Sequence, residues 1–340
     1  MAVEIVVGDC VQSLRAMPAQ SVHCCITSPP YFGLRDYGHD GQIGLEQTPD
    51  EFVAKLVDVF REVRRVLRDD GTLWLNLGDT YAANRGGTTP PAQTVAGGIG
   101  GKGGQKERRG QADGYNPTRD CTRYGLKHKD LIGIPWRVAF ALQADGWYLR
   151  QDIIWHKPNP MPESVRDRCT KAHEYVFLLS KSDRYYFDAG AIKEPAIHAG
   201  EHKRTNGAAG MDSHGDGMRT RAGFARGVTV GEKRNRRSVW TVATRPFKGA
   251  HFATFPPDLI EPCVLAGCPA GGVVLDPFGG AGTTGLVAQR HGRDAILCEL
   301  NPEYADMARI RIDADLAPAK PKRAARAVRP AQLELLGVSP

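Results

Sequence analysis

Short apolar runs alternate with amphipathic stretches along most of the chain. EIVVGD (4–9) reads as a strand closed by a turn, and SVHCCITS (21–28) as a second strand. In 49–71, Phe52, Leu56, Val59, Phe60, Val63 and Leu67 recur at helical spacing. Pro and acids open that helix and Gly71 closes it. GTLWLNLGD (71–79) is a third strand, 129–145 a helix, WYLRQDIIWHK (147–157) a fourth strand, and 173–187 a fifth strand or hairpin. The pattern continues with a helix at 256–267 and a strand at 271–280 that runs into glycines. A helix over 283–292, a strand over 293–300 and a closing helix from Asn301 follow. Strands separated by helices predict a parallel, doubly wound α/β sheet.

Three blocks break the pattern. Residues 84–125 hold eleven glycines, with seven basic against three acidic residues. Such a stretch has too little apolar surface to pack and is expected to be a flexible loop. Residues 202–240 hold nine basic against three acidic residues, and the tail 318–340 is basic and expected to be disordered. The expected organisation is therefore a core over 1–83, continued at 126–187 and 246–317, with an insertion at 188–245. The overall net charge of +7 is compatible with a nucleic-acid partner. No apolar run is long enough to span a membrane, and the first residues read as a strand, so a cytoplasmic location is expected. None of the eight cysteines has CxxC spacing; they are expected to be small core residues rather than disulfides or metal ligands.

Gly280-Ala-Gly282-Thr-Thr-Gly285 follows the strand VVLDPF and opens a helix, and Glu299 lies 19 residues after Gly280, at the end of the next strand. Glycines that let backbone approach a ligand, followed by an acid able to accept from ribose hydroxyls, point to an adenosine-type ligand. About forty residues follow Glu299, too few for the strands that a dinucleotide fold needs after its glycine turn. The sheet must then be completed from the N-terminal side, making the fold circularly permuted. The strand EIVVGD should lie beside 293–300, and the strand ending in TSPPY should flank VVLDPF. The double proline would stiffen a loop beside the ligand, with Tyr31 offering a flat face to a planar substrate.

DPFGGAGTT near the C-terminus and TSPPY near the N-terminus, in that order, resemble the β group of S-adenosylmethionine-dependent DNA amino methyltransferases. The resemblance covers most of 3–80, 146–190 and 250–312 and implies a Rossmann-like methyltransferase sheet. It implies that Ser28, Pro29, Pro30 and Tyr31 form the catalytic tetrad, with the Ser28 hydroxyl and the Pro29 carbonyl accepting from the target amino group. It implies a cofactor loop of Asp276, Pro277, Phe278, Gly280, Gly282 and Thr283, with Glu299 on the ribose and Asp9 and Cys10 at the cofactor's adenine. HFATFPPDLI resembles a further cofactor motif, which adds His251, Thr254 and Phe255. The target base would have to leave the duplex. Serine at the first tetrad position is frequent among cytosine-N4 enzymes and occurs in adenine-N6 enzymes, so both targets stay open.

In that group the recognition region lies between the last sheet strands and the cofactor motif, here 188–245. Lys203, Arg204, Arg219, Arg221, Arg234, Arg236 and Arg237 are the candidates for phosphate and base contacts in double-stranded DNA. Tyr115 and Tyr124 of the glycine-rich loop are candidates for stacking. His156, Lys157 and Pro158 are expected at the base pocket or its rim, whereas His173 and Glu174 read as structural. The five tryptophans read as packing residues. The resemblance also implies a homodimer and leaves open whether a cognate restriction endonuclease exists. An RNA amino methyltransferase or, more remotely, a nicotinamide-dependent oxidoreductase are the alternatives; the latter leaves SPPY and the basic insertions unexplained.

Overall fold

A capping box starts the longest helix: the Thr48 hydroxyl accepts from Glu51 N (3.1 Å), and the Glu51 carboxylate accepts from Thr48 N (3.1 Å). The elements are β1 (Val3–Val7), α1 (Cys10–Ala16), β2 (Val22–Thr27), α2 (Pro49–Val66), β3 (Leu67–Leu77), α3 (Ile134–Ala144), β4 (Tyr148–His156) and β5 (His173–Ser180). Five short strands follow: β6 (Glu194–Pro195), β7 (His202–Lys203), β8 (Val228–Thr229), β9 (Lys233–Arg234) and β10 (Val239–Thr241). The chain ends with α4 (Pro257–Gly267), β11 (Val273–Asp276), α5 (Thr283–Arg290), β12 (Asp294–Glu299) and α6 (Pro302–Leu316). This computed structural model describes residues 2–34, 39, 41–82, 125–197, 199–200, 202–203, 228–229, 231–245 and 254–316.

The sheet has eight strands in the order β1-β12-β11-β2-β3-β5-β4-β10. All pairings are parallel except those of β5, which runs against both β3 and β4. β1 pairs with β12 and β2 with β11, as the permuted order requires. The carboxyl ends of β1, β12, β11, β2, β3 and β4 therefore share one edge of the sheet, where ligands of such folds bind. One layer of core joins α2, α3 and the sheet; a second joins the opposite face to α4, α5 and α6. Phe52, Leu56, Phe60 and Val63 of α2 are fully buried, each contributing about 1.5–3 kcal/mol.

Several elements differ from the expected boundaries. α2 ends at Val66, not Gly71: Leu67 is its cap in extended conformation and already pairs with Val22 of β2. Pairing resumes at Cys24 with Thr72, so Arg68–Asp70 bulge outward, exposed, while Leu67 stays buried. α3 begins at Ile134 rather than Lys129, because the Asp79 carboxylate accepts from Gly133 N (3.0 Å) and Ile134 N (3.1 Å) and Pro135 follows. The short α1, capped by Asp9, follows the turn expected after the first strand and is not evident from the pattern. β5 forms its hairpin with β4 instead of folding back within 173–187.

The region 188–245 is not wholly an insertion. β10 is the eighth strand of the core sheet, and Trp240 is buried beside Trp74, with 6.5 Å between ring centroids. Trp74, Trp147 and Trp155 are likewise buried, in keeping with packing roles, and Trp136 is half-buried. Cys10, Cys24, Cys25, Cys263, Cys268 and Cys298 are buried, but Cys169 is exposed in the loop after β4. The glycine-rich stretch up to Tyr124, with Tyr115 and Cys121, and the tail after Leu316 lie outside the described residues. Among the described residues no helix is long and apolar enough to cross a membrane.

Candidate active site

The two motifs meet. β2 ends at Thr27, and its hydroxyl donates to Asp276 at the end of β11 (2.6 Å). Thr284 of α5 donates to the other oxygen of the same carboxylate (2.6 Å), and Phe278 N donates at 3.0 Å. Asp276 is buried, and desolvation raises its pKa to about 6 against the pull of these three donors. Its carboxylate thus acts as a bolt between the strand carrying Ser28 and the helix that opens after the glycines.

The glycine turn owes its shape to two kinds of constraint. Gly280 and Gly282 have φ of +50° and +74°, a region that disfavours residues with a Cβ. A Cβ on Gly282 would stand 2.8 Å from that of Ala308 in α6, and one on Gly285 would stand 2.8 Å from Cγ1 of Val3. These two glycines let α5 pack against α6 and β1. Glu299, at the end of β12, accepts from Gly280 N (2.7 Å) and Asn301 N (2.9 Å). Burial raises its pKa. At the neighbouring strand end, Asp9 caps α1 by accepting from Gln12 N (2.9 Å), and Cys10 begins that helix. Burial pushes the Cys10 thiol up to about 12, so it is neutral and not a nucleophile.

The tetrad sits one strand further along the same edge. Pro29 is buried; Ser28, Pro30 and Tyr31 are half-buried. The Tyr31 hydroxyl donates to Glu174 Oε2 at the start of β5 (2.8 Å) and accepts from Asn76 Nδ2 of β3 (2.9 Å). Asn76 Nδ2 also lies 3.3 Å from Ser28 Oγ and from Glu174 Oε2. Lys157, just after β4, pairs with Glu174 Oε1. Burial, and then the Glu174 carboxylate, hold the Tyr31 pKa well above its ordinary value, so the hydroxyl remains a donor. Gly78 lies against the ring: a Cβ there would overlap Cε2 and stand 3.0 Å from Cδ2 of Tyr31.

The sequence-predicted residues thus divide. Ser28, Pro29, Pro30, Tyr31, Asp9, Cys10, Asp276, Pro277, Phe278, Gly280, Gly282, Thr283 and Glu299 all lie at or beside the carboxyl edge of adjacent strands. Thr254 and Phe255 are half-buried just before α4, and His251 lies outside the described residues. Of the recognition candidates, Arg204, Arg219 and Arg221 also lie outside, as does the side chain of Lys203. Arg234 and Arg237 both donate to Glu194 Oε1, at 2.9 and 2.7 Å. Arg236 does not face outward: its guanidinium lies 4.7 Å over the Trp240 ring, with Nε buried, because β10 draws this segment onto the core. Sequence reasoning leaves Asn76 and Gly78 unassigned, reads Glu174 as structural and puts Lys157 at the base pocket or its rim. The one available signal is their location at the ends of strands flanking the tetrad.

A family model described as DNA methylase matches residues 22–309. The chain belongs to the DNA methylase family. Two curated Type II methyltransferases are each 48% identical to it over 309 residues. M.Cfr9I of Citrobacter freundii is matched over 91% of this chain and 87% of its own length. M.SmaI of Serratia marcescens is matched over 91% and 90%. Among solved structures, PvuII DNA methyltransferase, described as cytosine-N4-specific, has the same fold, with a TM-score of 0.58 at 18% identity over 92% of this chain and 86% of that one. TTHA0409 of Thermus thermophilus, solved in complex with S-adenosyl-L-methionine, has a TM-score of 0.54 at 22% identity over 93% and 96%. This DNA methylase is an amino methyltransferase of the restriction–modification type, and S-adenosylmethionine is its cofactor. Its residues fit that cofactor: a left-handed glycine turn opens α5, and the half-buried Glu299 carboxylate stands at the end of the next strand.

Proposed function

We propose that this DNA methylase transfers a methyl group to the exocyclic amino nitrogen of a cytosine swung out of duplex DNA. The hydrogen bond from Thr27 to Asp276 carries the reading, because it joins the strand that leads into SPPY to the strand that leads into the glycine turn. The bound cofactor supplies an electrophilic methyl group on a sulfonium. The chain's work is to orient the nucleophile, since an aromatic amino group is weak while its lone pair is delocalised. The Ser28 hydroxyl and the Pro29 carbonyl take its two N–H bonds and turn the lone pair out of the ring. Tyr31 stacks on the base and fixes its plane. Positioning and fixed dipoles then supply most of the acceleration.

On the cofactor side, Glu299 holds the ribose hydroxyls and Asp9 and Cys10 flank the adenine. Thr254 and Phe255 are assigned to the methionine end, as the motif resemblance implies, together with His251 outside the described residues. Arg234 and Arg237 exchange Glu194 for phosphates when DNA docks, and Lys203, Arg204, Arg219 and Arg221 are further candidates for phosphate contacts by their charge. Cytosine N4 is chosen because serine is frequent at the first tetrad position among cytosine-N4 enzymes; serine also occurs in adenine-N6 enzymes, so adenine N6 is the alternative target. The kinship with Type II methyltransferases supports a cognate endonuclease that cuts the same site.

Incubation with S-adenosylmethionine and duplex DNA, followed by nucleoside mass spectrometry, tests this. N4-methylcytosine is the expected product, and N6-methyladenine would reassign the target. Methylation of RNA but not duplex DNA would overturn the reading.

A further inference from the structure

We propose that Glu174, held by Lys157, is the positioning residue that sets the Tyr31 ring for the flipped base. The inference rests on the tetrad reading above and assigns a role to two residues outside it. The ring of Tyr31 is fixed at two places. Gly78 packs against it, and its hydroxyl is held at the far end by Glu174 and Asn76. Those anchors come from two strand ends, β3 and β5, and Lys157, which holds Glu174, follows a third, β4. A hydroxyl caught between a carboxylate acceptor and an amide donor has one favoured direction, so the ring loses rotation about its second torsion. The surface turned away from Gly78 is left for the base.

The ion pair itself argues for function. The side chains of Lys157 and Glu174 are 18% and 15% exposed, and the ammonium also lies 4.2 Å over the Trp155 ring. A pair this desolvated recovers little net stability, and apolar residues of similar volume would hold the fold as well. What apolar residues cannot supply is a carboxyl oxygen to accept from the Tyr31 hydroxyl. Lys157 holds one oxygen of the Glu174 carboxylate, which leaves the other aimed at the Tyr31 hydroxyl.

The test compares Tyr31→Phe, the pair Lys157→Met/Glu174→Met, and all three changes together, by single-turnover methylation of duplex DNA. S-adenosylmethionine binding and thermal melting report folding. Tyr31→Phe and the Met pair are each expected to slow transfer by about ten- to a hundredfold, as a misplaced reacting group does. Cofactor affinity should stay within about twofold, since neither change touches the glycine turn. The combined variant should be no slower than the slower of the two, because both remove one linkage. Tyr31→Phe at the wild-type rate would overturn the proposal, as would penalties that multiply in the combined variant. Should the Met pair fail to fold, Tyr31→Phe alone decides. A wild-type protein that methylates no DNA would instead refute the functional reading, and the proposal with it.

Discussion

Thr27 donates a 2.6 Å hydrogen bond to Asp276 across 249 positions of sequence. It joins the last residue of β2, which delivers the tetrad, to the last residue of β11, which delivers the glycine turn. Because Thr284 grips the other oxygen of the same carboxylate, α5 cannot shift without disturbing the strand that carries Ser28. A permuted chain needs such a link: the two halves of the site are remote in sequence and meet only in the folded sheet.

The bolt carries a pH signature. Asp276 has a folded-state pKa of about 6, above the ordinary carboxylate value of 3.8, because it is buried. Between those values the folded state binds the extra proton, so stability falls as pH rises from about 4 to about 6. Ionisation at neutral pH is therefore a cost, and Asp276→Asn should not feel it. Urea unfolding of both proteins should show the wild type losing about 1 kcal/mol relative to the variant between pH 5 and pH 7.

Ser28→Ala removes one acceptor for the target amino group and leaves the cofactor side intact. Single-turnover methylation is expected to fall by about a hundred- to a thousandfold, the usual cost of one fixed dipole at a reacting centre. Calorimetric titration with S-adenosylmethionine should give a nearly unchanged affinity.

Gly78→Ala would press a methyl group into the Tyr31 ring, and the ring must move for it to fit. The expected result is a rate loss of about a hundredfold with little change in cofactor binding. Thermal melting with and without S-adenosylmethionine separates this from a general loss of fold.

Glu299→Gln tests the cofactor side. The acid accepts from Gly280 N and Asn301 N and is assigned to the ribose hydroxyls. Replacing it removes charge-assisted hydrogen bonds, each worth about 1.5–3 kcal/mol. Titration calorimetry should show affinity for S-adenosylmethionine weakened by about ten- to a hundredfold.

How much of this is legible in the sequence follows from what kind of signal each part leaves. The pairings of β1 with β12 and β2 with β11 are readable because the strands that lead into TSPPY and into DPFGG have to finish at the same ligand edge. The tetrad and glycine turn are readable because their residues are adjacent. β10 is not: three residues in a basic stretch have no period, and only pairing with β4 makes them a strand. Arg236 misleads for the same reason, since a cation beside Trp240 looks exposed until that strand is docked. Asn76, Lys157 and Glu174 come from three separate strands, and no local spacing announces a constellation that only the antiparallel β5 assembles.

A structure of the protein with duplex DNA and a non-reactive analogue of S-adenosylmethionine would test the central claim most directly. The account expects the target base outside the helix and stacked on Tyr31. Its amino group should be hydrogen-bonded to Ser28 and to the Pro29 carbonyl, about 3–3.5 Å from the position of the transferable methyl group. A base that stays paired in the duplex, or one lodged away from Ser28 while the analogue occupies the glycine turn, would contradict it.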